Sequence, residues 1–206
     1  MIRTSLSAFA LSLILAAAAC AQSAEPGPND SVLDPTAPDA IVVYGGPEAL
    51  GVEKADGELV LFQVEIADDP VNRQRGMMFR ESLDEGAGML FDFGEVRPVS
   101  IWMRNTLIPL DILYVRQNGL IGKIIANAQP MSERQLWSDY PVLGVIELNA
   151  GAAAAAGIQP GDQVLHPVFG TNLPEPGEAA SDEQAASEPV SQEAELPPAE
   201  AEGEEG

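Results

Sequence analysis

Leu110-Asp111-Ile112-Leu113-Tyr114-Val115-Arg116, then Gln117-Asn118-Gly119, then Leu120-Ile121-Gly122-Lys123-Ile124-Ile125-Ala126 is the stretch that decides the fold. Its two apolar runs, rich in Ile, Leu, Val and Tyr, read as strands. Asn118 and Gly119 both tolerate the positive φ that a tight hairpin turn demands, so the two runs are predicted to be neighbours. Side chains alternate along a strand, which places Asp111, Leu113 and Val115 on one face. A carboxylate thus shares a partly apolar surface.

The same pattern of short apolar runs cut by turn residues extends in both directions. Ile41-Val42-Val43-Tyr44 is predicted to open the fold as a strand, ended by Gly45-Gly46-Pro47. Asp56-Gly57 marks a hairpin, with Glu58–Ile66 as the returning strand. Asp68-Asp69-Pro70 has the signature of a helix start, Asp as cap and Pro at the first helical position. That helix is predicted to run to Arg75 and stop at Gly76. Further strands are predicted at Gly88–Phe93, Val99–Met103 and Val142–Leu148. Ala150 to Ala156 reads as an alanine helix closed by Gly157, and Gly161-Asp162 turns into a last strand, Gln163–Phe169. Six or seven strands with two short helices predict a mainly β (α+β) fold, a compact antiparallel β-barrel or sandwich.

The ends read differently. Residues 1–19 carry a lone Arg3 and an apolar run, Leu6–Ala19, shorter than the roughly 20 residues that span a bilayer. The run ends in small residues, which predicts a signal peptide cleaved near residues 19–21. Residues 20–40 are polar and Pro-rich, as a flexible linker should be. Residues 41–170 form the expected folded unit. Residues 171–206 are almost free of bulky apolar side chains and cannot offset their ordering entropy by burial, so an acidic disordered tail is expected. Cys20 is the sole cysteine, which excludes an intramolecular disulfide. Ala17-Ala18-Ala19-Cys20 resembles a lipobox, with Ala17 where Leu is usual. Lipidation of Cys20 and plain secretion both fit. Either way a monomeric periplasmic or lipid-anchored envelope protein is expected, touching a membrane only through Cys20.

Net charge is −22, and eleven acidic residues with no Lys or Arg follow Leu173. No basic footprint for nucleic acid exists, and anionic membrane surfaces would repel the chain. Solubility is the expected role of the tail, and docking to a basic partner the alternative.

Four ordered motifs stand out. They are Arg73-Gln74-Arg75-Gly76-Met77-Met78-Phe79-Arg80 followed by Gly88-Met89-Leu90-Phe91-Asp92-Phe93; Trp102-Met103-Arg104-Asn105-Thr106 with Pro109-Leu110-Asp111 behind it; Glu147-Leu148-Asn149-Ala150-Gly151; and Gly161-Asp162. Over about Leu50 to Val168 the chain resembles domain-of-unknown-function family 192, the uncharacterised ACR family. Met77 stands where Leu is common and Arg104 where Lys is common. The resemblance implies a compact β-rich fold, often exported, and brings no established activity, catalytic residue or cofactor.

Trp102-Met103-Arg104-Asn105-Thr106 is the strongest chemical cluster. Trp offers a flat stacking face, Arg a planar fork, and Asn both a donor and an acceptor. Trp102, Arg104, Asn105 and Asp111 are therefore the candidate ligand-binding set, for a small polar ligand or a glycan such as a cell-wall fragment. The plain alternative makes Trp102 a core plug and Asn105 and Thr106 turn formers. Glu65, Asp111 and Glu147 sit within apolar strands. Two of them facing one cavity would suit a hydrolase, whereas ion pairs such as Asp111 with Arg104, or Glu65 with Arg73 or Arg75, would make them structural. Met77, Met78, Met89 and Met103 read as core or as an adaptable pocket, and Trp137 as part of an aromatic surface. His166, the only histidine, reads as a packed or edge residue. No Cys/His spacing suits zinc and no loop has the calcium ligand pattern, which leaves an all-carboxylate magnesium or manganese site as the open metal alternative; no cofactor motif is present. The leading expectation is a non-catalytic binding module. The alternatives are a carboxylate-pair hydrolase and an accessory or assembly protein that docks through its tail.

Overall fold

The computed structural model describes residues 34–175. The signal segment, Cys20 and nearly all of the acidic tail lie outside the described residues. Nine strands and two short helices appear in the order β1 Gly45–Glu53, β2 Leu59–Ala67, α1 Pro70–Arg75, β3 Ala87–Arg97, β4 Ser100–Ile101, β5 Leu110–Val115, β6 Ile121–Ala128, β7 Leu136–Trp137, β8 Val142–Asn149, α2 Ala152–Ala155 and β9 Gln163–Leu165. A 3-10 turn, Pro167–Phe169, follows. The mainly β, α+β reading holds.

Seven strands form one curled sheet in the order β6-β5-β8-β3-β2-β1-β9, and β4 pairs with β7 in a separate ribbon. The Asn-Gly hairpin joins β5 to β6, with Leu113 opposite Ile124. The two edge strands meet. Ile121 N–H donates to Asp162 O at 2.9 Å and Val164 N–H to Gly119 O at 2.8 Å, so the sheet curls into a barrel-like body and does not stack as a sandwich. Closing the edges in this way shields backbone groups that would otherwise invite aggregation.

Both faces of the central strands are covered, and all six residues of β5 are buried. Inside the curl lie Leu50, Val64, Leu90, Leu113, Ile146, Leu148 and Val164, among others. The outer face of β3, β8 and β5 carries Met89, Phe91, Ile112, Tyr114 and Val145. Burying it are α1 and the segments on either side of β4 and β7, through Met77, Val99, Met103 and Leu136.

Three sequence expectations need correction. Ile41–Tyr44 is not a strand. Val43 O accepts from Asn72 Nδ2 and Tyr44 Oη donates to Gly76 O, so the segment straps α1 and the first strand starts at Gly45. The sheet is not wholly antiparallel, because β2 and β3 run parallel, with Glu65 opposite Met89. Parallel neighbours need a long crossover, which residues 68–86 with α1 supply. The last strand stops at Leu165, because Pro167 has no N–H for a ladder and starts the 3-10 turn instead.

Candidate functional site

α1 forms as the sequence predicts. Asp69 accepts from the N–H groups of Val71 and Asn72 at 2.8 and 2.9 Å, Pro70 opens the helix, and Gly76 ends it at φ 48°. The helix delivers two arginines to its last turn. Arg73 donates to Asp92 O at 2.7 Å and stacks over Phe93. Arg75 donates to Pro35 O at 3.0 Å and lies over Phe79, 4.6 Å from the ring centre. Arg75 thereby holds residues 35–38, the end of the predicted linker, against the domain.

Beyond Gly76 the chain turns sharply, with Phe79 at φ 64°. Its N–H donates to Asn105 O at 2.9 Å, and Asn105 itself adopts φ 56°. Asn tolerates this left-handed conformation better than most residues. That bond docks the Trp102–Thr106 loop beside α1 and leaves a cleft of about 100 Å³ between them. Met77, Met78, Phe91 and Phe93 provide its apolar lining; Arg73, Gln74, Arg75, Ser100, Trp102, Thr106 and Glu147 supply the chemistry. The volume has room for a few waters or for one end of a small ligand.

Glu147 is the one acid of this lining. It belongs to β8, between Met89 and Ile112 on the outer face, and is only 4 % exposed. No hydrogen bond to its carboxyl forms among the described residues. Burial pushes its pKa up to about 8, opposed only weakly by the charge of Arg80. At neutral pH the group is therefore largely protonated and acts as a hydrogen-bond donor.

The four candidate residues separate. Trp102 is at the cleft, 41 % exposed, and does not plug the core. Arg104 is exposed and stacks on Trp102, 5.7 Å from the ring centre. Asn105 is the turn former described above; its side chain reaches Met78 Sδ at 3.9 Å. Asp111 lies on the opposite face of the sheet from Glu147. Its two oxygens accept from Asn127 N–H at 2.9 Å and Ala153 N–H at 3.1 Å.

Glu65 pairs with Arg80, not with Arg73 or Arg75, in a neighbouring open groove with Gln63 and Ser82. The three acids of the hydrolase reading therefore do not converge on one cavity. His166 is buried. Its Nδ1 accepts from Val168 N–H, and its Nε2 faces Glu48 at 3.3 Å. Among the described residues no group of three or more His, Cys, Asp or Glu is arranged to hold a metal ion, and no helix is long and apolar enough to cross a membrane.

Sequence reasoning singled out Glu147 and Trp102 but missed Gln74 and Ser100, and gave Arg73 and Arg75 a different task. Arg73 and Arg75 are marked only by their place in the last turn before a stop glycine, and nothing local marks Gln74 or Ser100.

A protein-family model, DUF192, described as "Uncharacterized ACR", matches residues 51–166. No curated protein matches the chain. Among solved structures, a Sinorhizobium meliloti 1021 protein whose name proposes a transcription regulator is 42% identical. The match covers 63% of this chain and 99% of that one, with a TM-score of 0.60. A protein of unknown function from Novosphingobium aromaticivorans DSM 12444 is 38% identical over 57% of this chain and 84% of that one, with a TM-score of 0.55. Both show the same fold.

Proposed function

The chain belongs to the DUF192 family, and from that premise we propose that it is an exported, non-catalytic envelope module whose cleft beside α1 binds a small polar ligand with an anionic group. One observation carries this reading. The Glu147 carboxyl is buried, opens into the cleft, and has no protein partner among the described residues. Its oxygens stay accessible from the cleft and are not sealed in the core, so a ligand acceptor that enters the cleft meets a protonated donor. Arg73 and Arg75 on the cleft wall favour negative charge, and Trp102 offers a stacking face at the mouth. Export rests on the N-terminal sequence, with Cys20 as a lipid anchor or a plain mature residue.

Hydrolysis by paired carboxylates has less behind it. The raised pKa of Glu147 suits a general acid, but Glu65 is engaged by Arg80 in another groove and Asp111 by two backbone amides on the other face. Transcription regulation, the role in the Sinorhizobium relative's name, sits poorly with a net charge of −22.

Calorimetric titration of the full chain with monomeric sugar acids, amino acids and neutral sugars tests the proposal. An acidic ligand should bind with Trp102→Ala weakening it about tenfold. Binding should also fall as pH rises past about 8, when Glu147 ionises and repels the anion. Glu147→Gln keeps a donor and should abolish that pH dependence. A panel without a binder, or Trp102→Ala and Glu147→Leu variants that bind like the native chain, would overturn it.

A further inference from the structure

The ribbon of β4 and β7 extends the cleft. Ser100 and Trp102, two residues apart, both line it, and Ser100 is paired directly with Trp137 across the ribbon. Cross-strand partners point to the same face, so Trp137 stands diagonally across from Trp102 on the surface that the cleft opens onto. Both indoles are exposed, at 41 % and 49 %. Large aromatic side chains are costly to leave in water, and these are the only two tryptophans in the chain. Trp102 follows directly on the last residue of β4, and diagonal positions within a ribbon are about 7–8 Å apart, the scale of two consecutive rings of one ligand.

Charge narrows the occupant. In a chain of net charge −22, four arginines lie at or beside this cleft. Arg73 and Arg75 line the cleft, Arg104 stacks on Trp102, and Arg97 shares the Phe93 ring with Arg73. Arg97 is in part offset by Glu95 at 3.1 Å. Gln74, Ser100 and Thr106 add neutral hydrogen-bonding groups suited to hydroxyls.

Resting on the binding reading above, we infer that the ligand is an acidic oligosaccharide. The carboxylate end of one sugar enters the cleft while its ring rests on Trp102, and the next ring lies on Trp137. A pyranose ring has an apolar C–H face for an indole, hydroxyls for Gln74 and Thr106, and, when acidic, a carboxylate for the arginines and the Glu147 proton.

Two tryptophans give two indole N–H signals, which makes the test direct. Full-length protein is titrated with galacturonate, trigalacturonate and neutral cellotriose, following both signals by NMR and assigning them with Trp102→Phe and Trp137→Phe. The monomer should shift Trp102 alone. The trimer should shift both and bind about tenfold tighter, close to 1.4 kcal/mol, with cellotriose at least tenfold weaker than the acidic trimer. Trp137→Ala should bring trimer affinity down to that of the monomer and leave the monomer unchanged. If the trimer binds no tighter and leaves Trp137 unmoved, or if cellotriose binds equally well, the inference fails while the cleft remains a ligand site. If no probe, nor any small acid of the wider panel, moves Trp102, the binding reading fails with it.

Discussion

Between pH 5 and 9 the Glu147 carboxyl is expected to cost the folded domain about 4 kcal/mol, and Glu147→Gln is expected to remove that contribution. Glu147 has a folded pKa of about 8 against 4.5 for an ordinary glutamate. Between those values the native state holds a proton that the unfolded state has released. Stability therefore falls as pH rises through this window and levels off above about 8, where both states are ionised. A loss of this size lowers the melting temperature by roughly 15 °C for a domain of this length.

His166 works in the opposite direction and at lower pH. Burial lowers its pKa, with Glu48 opposing the shift, so its contribution is complete above the unfolded value of 6.5 and is lost as pH falls below it. The alkaline limb thus belongs to Glu147. Urea unfolding of the native and Glu147→Gln chains at pH 5, 7 and 9 decides the matter. Parallel pH dependence in the two would show that the carboxyl is not held protonated. Gln is nearly isosteric and needs no proton, so the variant should also be the more stable of the two at pH 9. A binding group bought at the cost of stability is a familiar mark of a functional position.

How much of this was legible in the sequence follows the range over which each feature is determined. Local chemistry read well. The Asp69–Pro70 cap, the Asn118-Gly119 turn, and the strands β2, β5, β6 and β8 each follow from a few consecutive residues. Features set by distant partners did not. Ile41–Tyr44 has the composition of a strand, yet the Val43 carbonyl is claimed by Asn72 and the Tyr44 hydroxyl by Gly76 of the α1 region, residues about 30 positions away. β7 has two residues and exists only because β4 lies opposite. The parallel pairing of β2 with β3 depends on where the crossover lands, which no run of residues encodes alone. For the site, Glu147 was recognisable as a carboxylate in an apolar strand. Its separation from Asp111 depends on parity across two paired strands, Ile112 opposite Glu147 and Asp111 opposite Leu148, and neither strand reveals that register by itself.

Asp111→Asn should destabilise the fold by about 3 kcal/mol, the second large effect, and leave the cleft untouched. Asp111 is wholly buried. One of its oxygens holds Asn127, which adopts φ 51° on β6 near an irregular stretch of the β5–β6 ladder. The other holds Ala153 in the first turn of α2, where the cap residue Gly151 makes no side-chain bond. Asp111 thus caps α2 from a strand 42 residues earlier in the chain, and its charge suits the helix start. Asparagine keeps one acceptor and turns an NH2 toward the other amide, so two donors meet in a dry interior and at least one buried N–H is orphaned. An ion pair with Arg104, the sequence-based alternative, predicts a matching loss for Arg104→Ala. With Arg104 exposed over Trp102, that variant should instead change stability by no more than about 0.5 kcal/mol. Urea unfolding of both variants separates the two accounts. Equal losses would restore the ion pair, and a loss below about 1 kcal/mol for Asp111→Asn would mean that the amides find other partners. The Trp102 indole signal of folded Asp111→Asn should coincide with that of the native chain, because the carboxylate that secures the inner face has no contact with the cleft on the outer one.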